Sequence, residues 1–117
     1  MFPQITINGL YQDESGVLWI GTKDGVKKYN GNYIESVNFM GINNWIQSNL
    51  VPTICGDKKG HLYVNTDYSI IEYDLIKEES RIIFSQPNTQ ILPSIAFNYG
   101  INSLWIGLLD SVYNYKE

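Results

Sequence analysis

Short runs of β-branched and aromatic residues recur along the chain, and each run is bounded by glycine or by polar turn residues. A run at 17–22 is followed three residues later by a second at 26–29, and the same pair recurs at 61–66 and 70–73. Runs of this length with turn residues between them predict short β-strands joined as hairpins. The chain is therefore expected to be built from consecutive antiparallel strands.

The turn residues support the same interpretation. Asp24-Gly25 and Asn30-Gly31 supply residues that accept the positive φ angles of two- and three-residue hairpin loops. Apolar and polar residues then alternate over 33–39, which predicts a half-exposed outer strand. No segment has a sustained 3.6-residue period with capping residues, so little helix is expected.

The strand pattern is an internal repeat with a period of 44 and then 42 residues, given by the spacing of Gly16, Gly60 and Asn102. The aligned segments are 16–22, 60–66 and 102–108, followed by 24–29, 68–73 and 110–115. A period in the low forties with four short strands per unit is typical of a β-propeller blade. The predicted fold is all-β: a partial propeller of about two and a half to three four-stranded antiparallel blades.

These blades are expected to form one propeller fragment over 1–117. The boundaries are predicted at about 5–40 for the first blade, 51–84 for the second and 94–116 for a partial third, with connectors at 41–50 and 85–93. Three incomplete blades cannot close a ring, because closed propellers have roughly four to eight. The open sheet edges and faces therefore predict a homo-oligomer.

The repeated positions have structural interpretations. We expect Trp19, Tyr63 and Trp105 to pack one large ring per blade between neighbouring sheets. Glycines beside the rings are expected to permit close backbone approach, and aspartates at turn starts are expected to accept backbone hydrogen bonds. The structural repeat positions are Asp13, Gly16, Trp19, Gly21, Asp57, Gly60, Tyr63, Trp105 and Gly107.

Composition excludes several classes of function. The chain is 44% hydrophobic and 17% charged, with a formal net charge of −4. That balance predicts a globular protein with no basic surface for nucleic acid. No apolar run approaches the roughly 20 residues of a membrane span, and Met1-Phe2-Pro3-Gln4 does not begin a signal peptide, so no membrane contact is expected.

The first unit resembles the two-component regulator propeller repeat of bacterial sensor proteins. The resemblance rests on 10–31, which includes Gly16-Val17-Leu18-Trp19-Ile20-Gly21-Thr22, and on 48–51 leading into Asp57-Lys58-Lys59-Gly60. It implies a periplasmic or otherwise extracytoplasmic sensor segment that precedes a membrane helix and a histidine kinase, neither of which is expected in this segment. Some members of that family respond to oligosaccharides, so the resemblance also implies a carbohydrate ligand.

A candidate ligand site lies in the first connector. Trp45 has no equivalent in the other repeats, and it is flanked by the amides Asn43, Asn44 and Gln47. An indole face beside amide donors and acceptors suits a neutral sugar. The alternative is that Trp45 fills a gap between blades or an oligomer contact. A structural or protein-interaction element without a small-molecule site therefore remains the second interpretation.

Catalysis is not expected. His61 is interpreted as a surface residue and Cys55 as a small buried hydrophobe without a nucleophilic role. Asp13 and Asp57 are repeat equivalents, so they are expected to lie about a blade apart as turn caps and not as a carboxylate pair. A propeller lyase or glycosidase is a remote alternative.

Other binding chemistry is not expected either. No metal site or cofactor is predicted. Lysines flank the hairpin turns, and we interpret them as solvated charges that protect strand edges. These lysines are Lys23, Lys27, Lys28, Lys58 and Lys59.

Overall fold

The protein consists of three antiparallel sheets in a computed structural model that describes residues 6–37, 51, 53–66, 69–85, 94–107 and 111–115. All eleven elements within these ranges are strands, which confirms the prediction of an all-β fold of propeller-type sheets. None of the described residues forms a helix able to cross a membrane.

Each sheet is a meander in which consecutive strands pair. The first sheet contains β1 (Ile7–Gln12), β2 (Leu18–Thr22), β3 (Gly25–Tyr29) and β4 (Ile34–Val37). The second sheet contains β5 (Thr53–Gly56), β6 (His61–Asn65), β7 (Ser69–Asp74) and β8 (Glu79–Ser85). The third sheet contains β9 (Ser94–Asn98), β10 (Ser103–Gly107) and β11 (Val112–Tyr115).

The sheets stack through alternate side chains of their strands. Because successive residues of a strand face opposite sides, one set of positions in β2 faces the second sheet and the other faces away. Trp19 belongs to the set that faces the second sheet, and only 4% of it is exposed. It lies in an apolar core with Leu62 and Val64 of β6. The Trp19 ring also approaches Tyr73, with the ring centroids 6.0 Å apart.

The second interface repeats this arrangement one sheet further along. Tyr63 faces the third sheet and packs with Ile70, Leu104 and Ile106. Its ring stacks on that of Phe97 at a centroid distance of 6.0 Å and an interplanar angle of 14°. Trp19 and Tyr63 therefore occupy equivalent positions at the two interfaces, and both point in the same direction along the stack.

The expectation that Trp105 packs between sheets is wrong. Trp105 follows the same alternation, so it faces away from the second sheet while its neighbours Leu104 and Ile106 face toward it. None of the described sheets lies beyond the third one on that side, and 39% of the Trp105 surface is exposed. The repeat correctly placed the ring on the sheet but could not indicate whether another sheet would cover it.

A glycine brings the first two sheets close together at their inner ends. A Cβ atom at Gly21 would lie 2.9 Å from Cγ1 of Val51, closer than real side chains approach. The Val51 backbone N–H donates to the carbonyl of Thr22 at 2.9 Å, which ties the entry of the second unit directly to β2. The absence of a side chain at Gly21 therefore permits the backbone contact between the two units.

Candidate functional site

The predicted ligand-contact residues Asn43, Asn44, Trp45 and Gln47 lie outside the described residues, so their role stays a prediction. The structure does describe the point where their connector meets the second unit. Val51 is 3% exposed, and its carbonyl accepts a hydrogen bond from Nδ2 of Asn8 at 3.4 Å. Together with the bond to Thr22, this contact holds the end of the connector against β1 and β2.

The turn between β1 and β2 is built around Asp13, which is 8% exposed. Its Oδ1 accepts the backbone N–H groups of Ser15 and Val17 at 2.9 and 3.0 Å. Its Oδ2 accepts the indole N–H of Trp19 at 2.9 Å. Gly16 completes the turn with a φ of 89°, a value that glycine adopts readily. One carboxylate thus connects the turn to the ring that enters the core.

The turn between β5 and β6 uses the same backbone pattern with a different side-chain partner. Oδ1 of Asp57 accepts the N–H groups of Lys59 and His61 at 2.7 and 3.0 Å. Its Oδ2 lies 2.7 Å from Nδ1 of His61, and Nε2 of His61 lies 3.9 Å from Oδ2 of Asp74. The interpretation of His61 as a surface residue is therefore wrong, because its ring lies between two carboxylates with 27% of the side chain exposed.

Two signals in the sequence could have found this role for His61. It follows Asp57 by four residues, as Val17 follows Asp13, and Tyr63 replaces the tryptophan whose indole serves Asp13. A buried turn aspartate without an indole needs another partner for its second oxygen, and a neighbouring histidine can supply one.

The third turn differs in its side chains but keeps its shape. Tyr99 occupies the aspartate position, and its hydroxyl donates to the Gly56 carbonyl at 2.9 Å, across the interface with the second sheet. The preceding residue, Asn98, accepts the N–H of Gly100 through Oδ1 at 2.9 Å. Asn102 has a φ of 52° where Gly16 and Gly60 have values of 89° and 96°. Left-handed backbone thus occurs at the same place in all three turns.

Tyr11 links the first turn to the second. Its hydroxyl accepts the backbone N–H of Lys58 at 3.0 Å, and Nζ of Lys58 lies 4.9 Å from the centre of its ring. The same ammonium group donates to the carbonyl of Gln12 at 2.9 Å, so Lys58 is an interface residue and not only a solvated charge. Burial raises the pKa of Tyr11 to about 12, against a lowering effect of the hydrogen bond from Lys58.

Cys55 occupies the position in β5 that Tyr11 occupies in β1. It is half-buried beside the core between the second and third sheets. Burial, with a smaller contribution from the charge of Asp57, raises the pKa of the Cys55 thiol to about 12. The thiol is therefore protonated at neutral pH and is a poor nucleophile, as expected for a packing residue.

The face of the third sheet that carries Trp105 is a surface that none of the other described sheets covers. Gly107 pairs with Val112 in the register of β10 and β11, so Val112 lies on the same face as Trp105. Val112 is 66% exposed. On that face Asn114 donates to the Ser103 hydroxyl at 2.9 Å, which satisfies the polar groups beside the indole. The result is an apolar patch on the face that buries Trp19 and Tyr63 in the other two sheets.

Metal chemistry has no candidate ligand set in the described part of the chain, where no three His, Cys, Asp or Glu side chains converge.

Comparison with known proteins is consistent with this architecture. Residues 1–24 match the family model described as two component regulator propeller, which confirms the resemblance there. A structure titled as the extracellular domain of the hybrid two component system BT4673 from B. thetaiotaomicron is 17% identical, with a TM-score of 0.76, over 98% of this chain. A second structure, titled as the same region of a one component system BT4673, is 16% identical with a TM-score of 0.79 over 99% of this chain.

Both structures extend far beyond the matched part, because the chain spans only 16% of the length of either. At this level of identity the likeness establishes a shared propeller fold. No curated protein matches the chain.

Proposed function

We propose, from the two-component regulator propeller repeat in residues 1–24, that this chain is a non-enzymatic sensor segment that works outside the cytoplasmic membrane. The observation that carries the proposal is the family match of residues 1–24. The structure adds an uncovered Trp105, whose equivalents Trp19 and Tyr63 are both buried between sheets. An open stack of this kind has a surface through which a change in subunit arrangement can be transmitted.

A second copy of the chain is the proposed occupant of that surface. A head-to-tail contact would require the opposite face of the first sheet, where Ile20 is only 1% exposed although its cross-strand neighbour Leu10 is 56% exposed. The Trp105 and Val112 patch can pair with itself across a two-fold axis, so a single kind of surface is enough for a closed dimer. Large apolar patches on soluble proteins are commonly interaction sites. The proposed assembly is therefore a dimer formed through the third sheets.

The proposed ligand is a neutral oligosaccharide, contacted by Trp45 with Asn43, Asn44 and Gln47. The support is chemical: an indole supplies a flat apolar face, and the amides supply donors and acceptors for hydroxyl groups. The connector that carries these residues ends at Val51, which is hydrogen-bonded to the first sheet. Ligand binding there would act on the junction between two blades.

One set of variants tests both the proposed dimer and the proposed oligosaccharide site. Molar mass by light scattering at several concentrations should give a dimer for the parent chain and a monomer for Trp105→Lys. Tyr33→Lys, at a position 58% exposed immediately before β4, is the matched control and should remain dimeric. An array of neutral oligosaccharides should bind the parent, with binding lost in Trp45→Ala.

The two parts can fail separately. A parent chain that remains monomeric at every concentration would contradict the dimer. Glycan binding unchanged in Trp45→Ala would contradict the ligand site, and no glycan binding by a dimeric parent would leave a protein-interaction element as the function.

A further inference from the structure

A cavity of about 330 Å³ lies on the outer part of the second sheet, on the face that Tyr63 shares with the third sheet. The lining side chains come from β6, β7, β8 and the turn between the last two. They are His61, Glu72, Asp74, Lys77, Glu79, Ser80 and Arg81. The volume is at the small end of the range for ligand sites, which suits a small molecule and not a polymer.

Glu72 is the unusual member of this lining. Its side chain is 7% exposed, and Oε1 accepts the Nε–H of Arg81 at 2.7 Å. The other oxygen, Oε2, is buried and has no hydrogen-bond partner among the described residues. Buried carboxylate oxygens are normally satisfied, so an orphaned one in a cavity wall indicates a donor that the described residues do not provide.

The charges around the cavity indicate whether the molecule that supplies this donor is a cation or an anion. Three carboxylates line it, from Glu72, Asp74 and Glu79, against two cationic side chains. Oδ1 of Asp74 accepts the backbone N–H groups of Ile76 and Lys77, both at 2.9 Å. Those bonds hold the pKa of Asp74 below its ordinary value, so its carboxylate is charged at neutral pH. The surplus is negative and favours a cation over an anion.

Arg81 does not neutralise the whole site. Its Nε–H donates to Oε1 of Glu72, and its Nη2 donates to the Tyr115 hydroxyl at 2.8 Å, across the interface with the third sheet. The guanidinium is thus positioned as a bridge between two sheets. Since 61% of the Arg81 side chain is exposed, its movement can open the approach to Glu72.

We propose that this cavity binds a small organic ammonium ion, with Oε2 of Glu72 accepting one of its N–H groups. An ammonium group can donate one N–H to Oε2 of Glu72, and the carboxylates of Asp74 and Glu79 add to the negative charge of the lining. The described residues present no converging metal-ligand set, so the expected cation is organic and not a metal ion. The site is distinct from the predicted sugar-contact residues and from the Trp105 face, and it does not depend on either.

The test uses the whole 117-residue chain and butylammonium as the probe. Titration monitored by two-dimensional NMR should give saturable shifts at His61, Glu72 and Arg81, with half-saturation at about 1 mM for a weak site. Butyltrimethylammonium has the same charge without N–H donors and should bind about tenfold more weakly. Butyrate should not bind.

Glu72→Gln removes the charge while keeping the size of the side chain, and it should weaken butylammonium binding about tenfold or more. Glu35→Gln is the matched control, because Glu35 belongs to the equivalent cross-strand ion pair of the first sheet. It should bind like the parent. Glu79→Gln, at an exposed position, should weaken binding by about threefold and serves if Glu72→Gln does not fold.

Three results would overturn the site. One is the absence of saturable shifts in the parent, another is equal affinity for the trimethylated probe, and the third is unchanged affinity in a folded Glu72→Gln or Glu79→Gln variant.

Discussion

The first and second sheets have the same strand order, but different side chains stabilise equivalent positions in them. In the first, Oδ2 of Asp13 accepts the indole N–H of Trp19 at 2.9 Å. In the second, Oδ2 of Asp57 lies 2.7 Å from Nδ1 of His61. Tyr63 stands where the first sheet has Trp19, and His61, two residues before Tyr63, is the partner of Asp57. The hydrogen-bonding requirement of the buried aspartate is therefore met in both turns by different residues.

The cross-strand ion pairs of the two sheets differ in the same way. Lys28 on β3 faces Glu35 on β4 at 3.5 Å, and its ammonium lies 5.6 Å from the centre of the Trp19 ring. At the equivalent positions of the second sheet, Glu72 on β7 faces Arg81 on β8 with the polarity reversed. The two sheets therefore share backbone geometry and strand pairing, while the acidic and basic members of an equivalent ion pair can change places.

Gly56→Ala is expected to have the largest effect, because it removes the contact between the two turns. The added Cβ would lie inside the space of the Tyr11 ring, so the ring would have to leave its place on the second sheet. We expect a loss of about 3 kcal/mol in the free energy of unfolding, measured by urea titration. Gln12 occupies the equivalent position in β1 but is exposed. Gln12→Ala should therefore change the free energy of unfolding by less than about 0.5 kcal/mol.

Removing the Tyr11 ring supplies the control for that mechanism. If the clash with Tyr11 causes the loss, Gly56→Ala should cost much less in a Tyr11→Ala background than in the parent, because both changes act on one contact. Additive effects of the two substitutions would contradict the proposed clash.

Substituting asparagine for each turn aspartate should destabilise the first turn more than the second. In Asp13→Asn the new amide N–H group faces the indole N–H of Trp19, so two buried donors oppose each other. We expect a loss of about 2 kcal/mol. In Asp57→Asn the amide faces Nδ1 of His61, which can accept a hydrogen bond in its other tautomer, so the loss should be below about 1 kcal/mol. Chemical unfolding of both variants at pH 7 measures the difference. Equal losses would mean that His61 does not replace the indole.

The sequence was sufficient for the features that depend on local chemistry. Strands, hairpins and the positions of the turns follow from residues close together in the chain, such as Asp24-Gly25. The burial of Trp105 could not be predicted in this way, because it depends on whether another sheet lies beyond the third. Glu72 was missed for a related reason, since its partner Arg81 is a neighbour only after the strands pair, and the same holds for Asp74, the second carboxylate beside His61.

Tyr11 and Cys55, at equivalent positions of the two sheets, should make stability depend on pH in the alkaline range. Burial raises both pKa values to about 12, from ordinary values of 10.0 and 9.0. A raised pKa in the folded state means that the unfolded chain loses its proton first. The stability contributed by each neutral group is therefore complete below its ordinary pKa and is lost as the pH rises toward about 12. The loss should begin near pH 9 for Cys55 and near pH 10 for Tyr11.

Between pH 8.5 and pH 10.5 we expect the free energy of unfolding to fall by about 1–2 kcal/mol, mainly through Cys55. Cys55→Ala removes that ionisation, so its stability should change less over the same interval, whatever its stability at pH 8.5. Tyr11→Phe should retain the early part of the decline, because Cys55 is still present. Urea unfolding of the three proteins at both pH values gives the comparison. A decline of the same size in Cys55→Ala and in the parent would show that the second sheet does not hold its thiol in the neutral form.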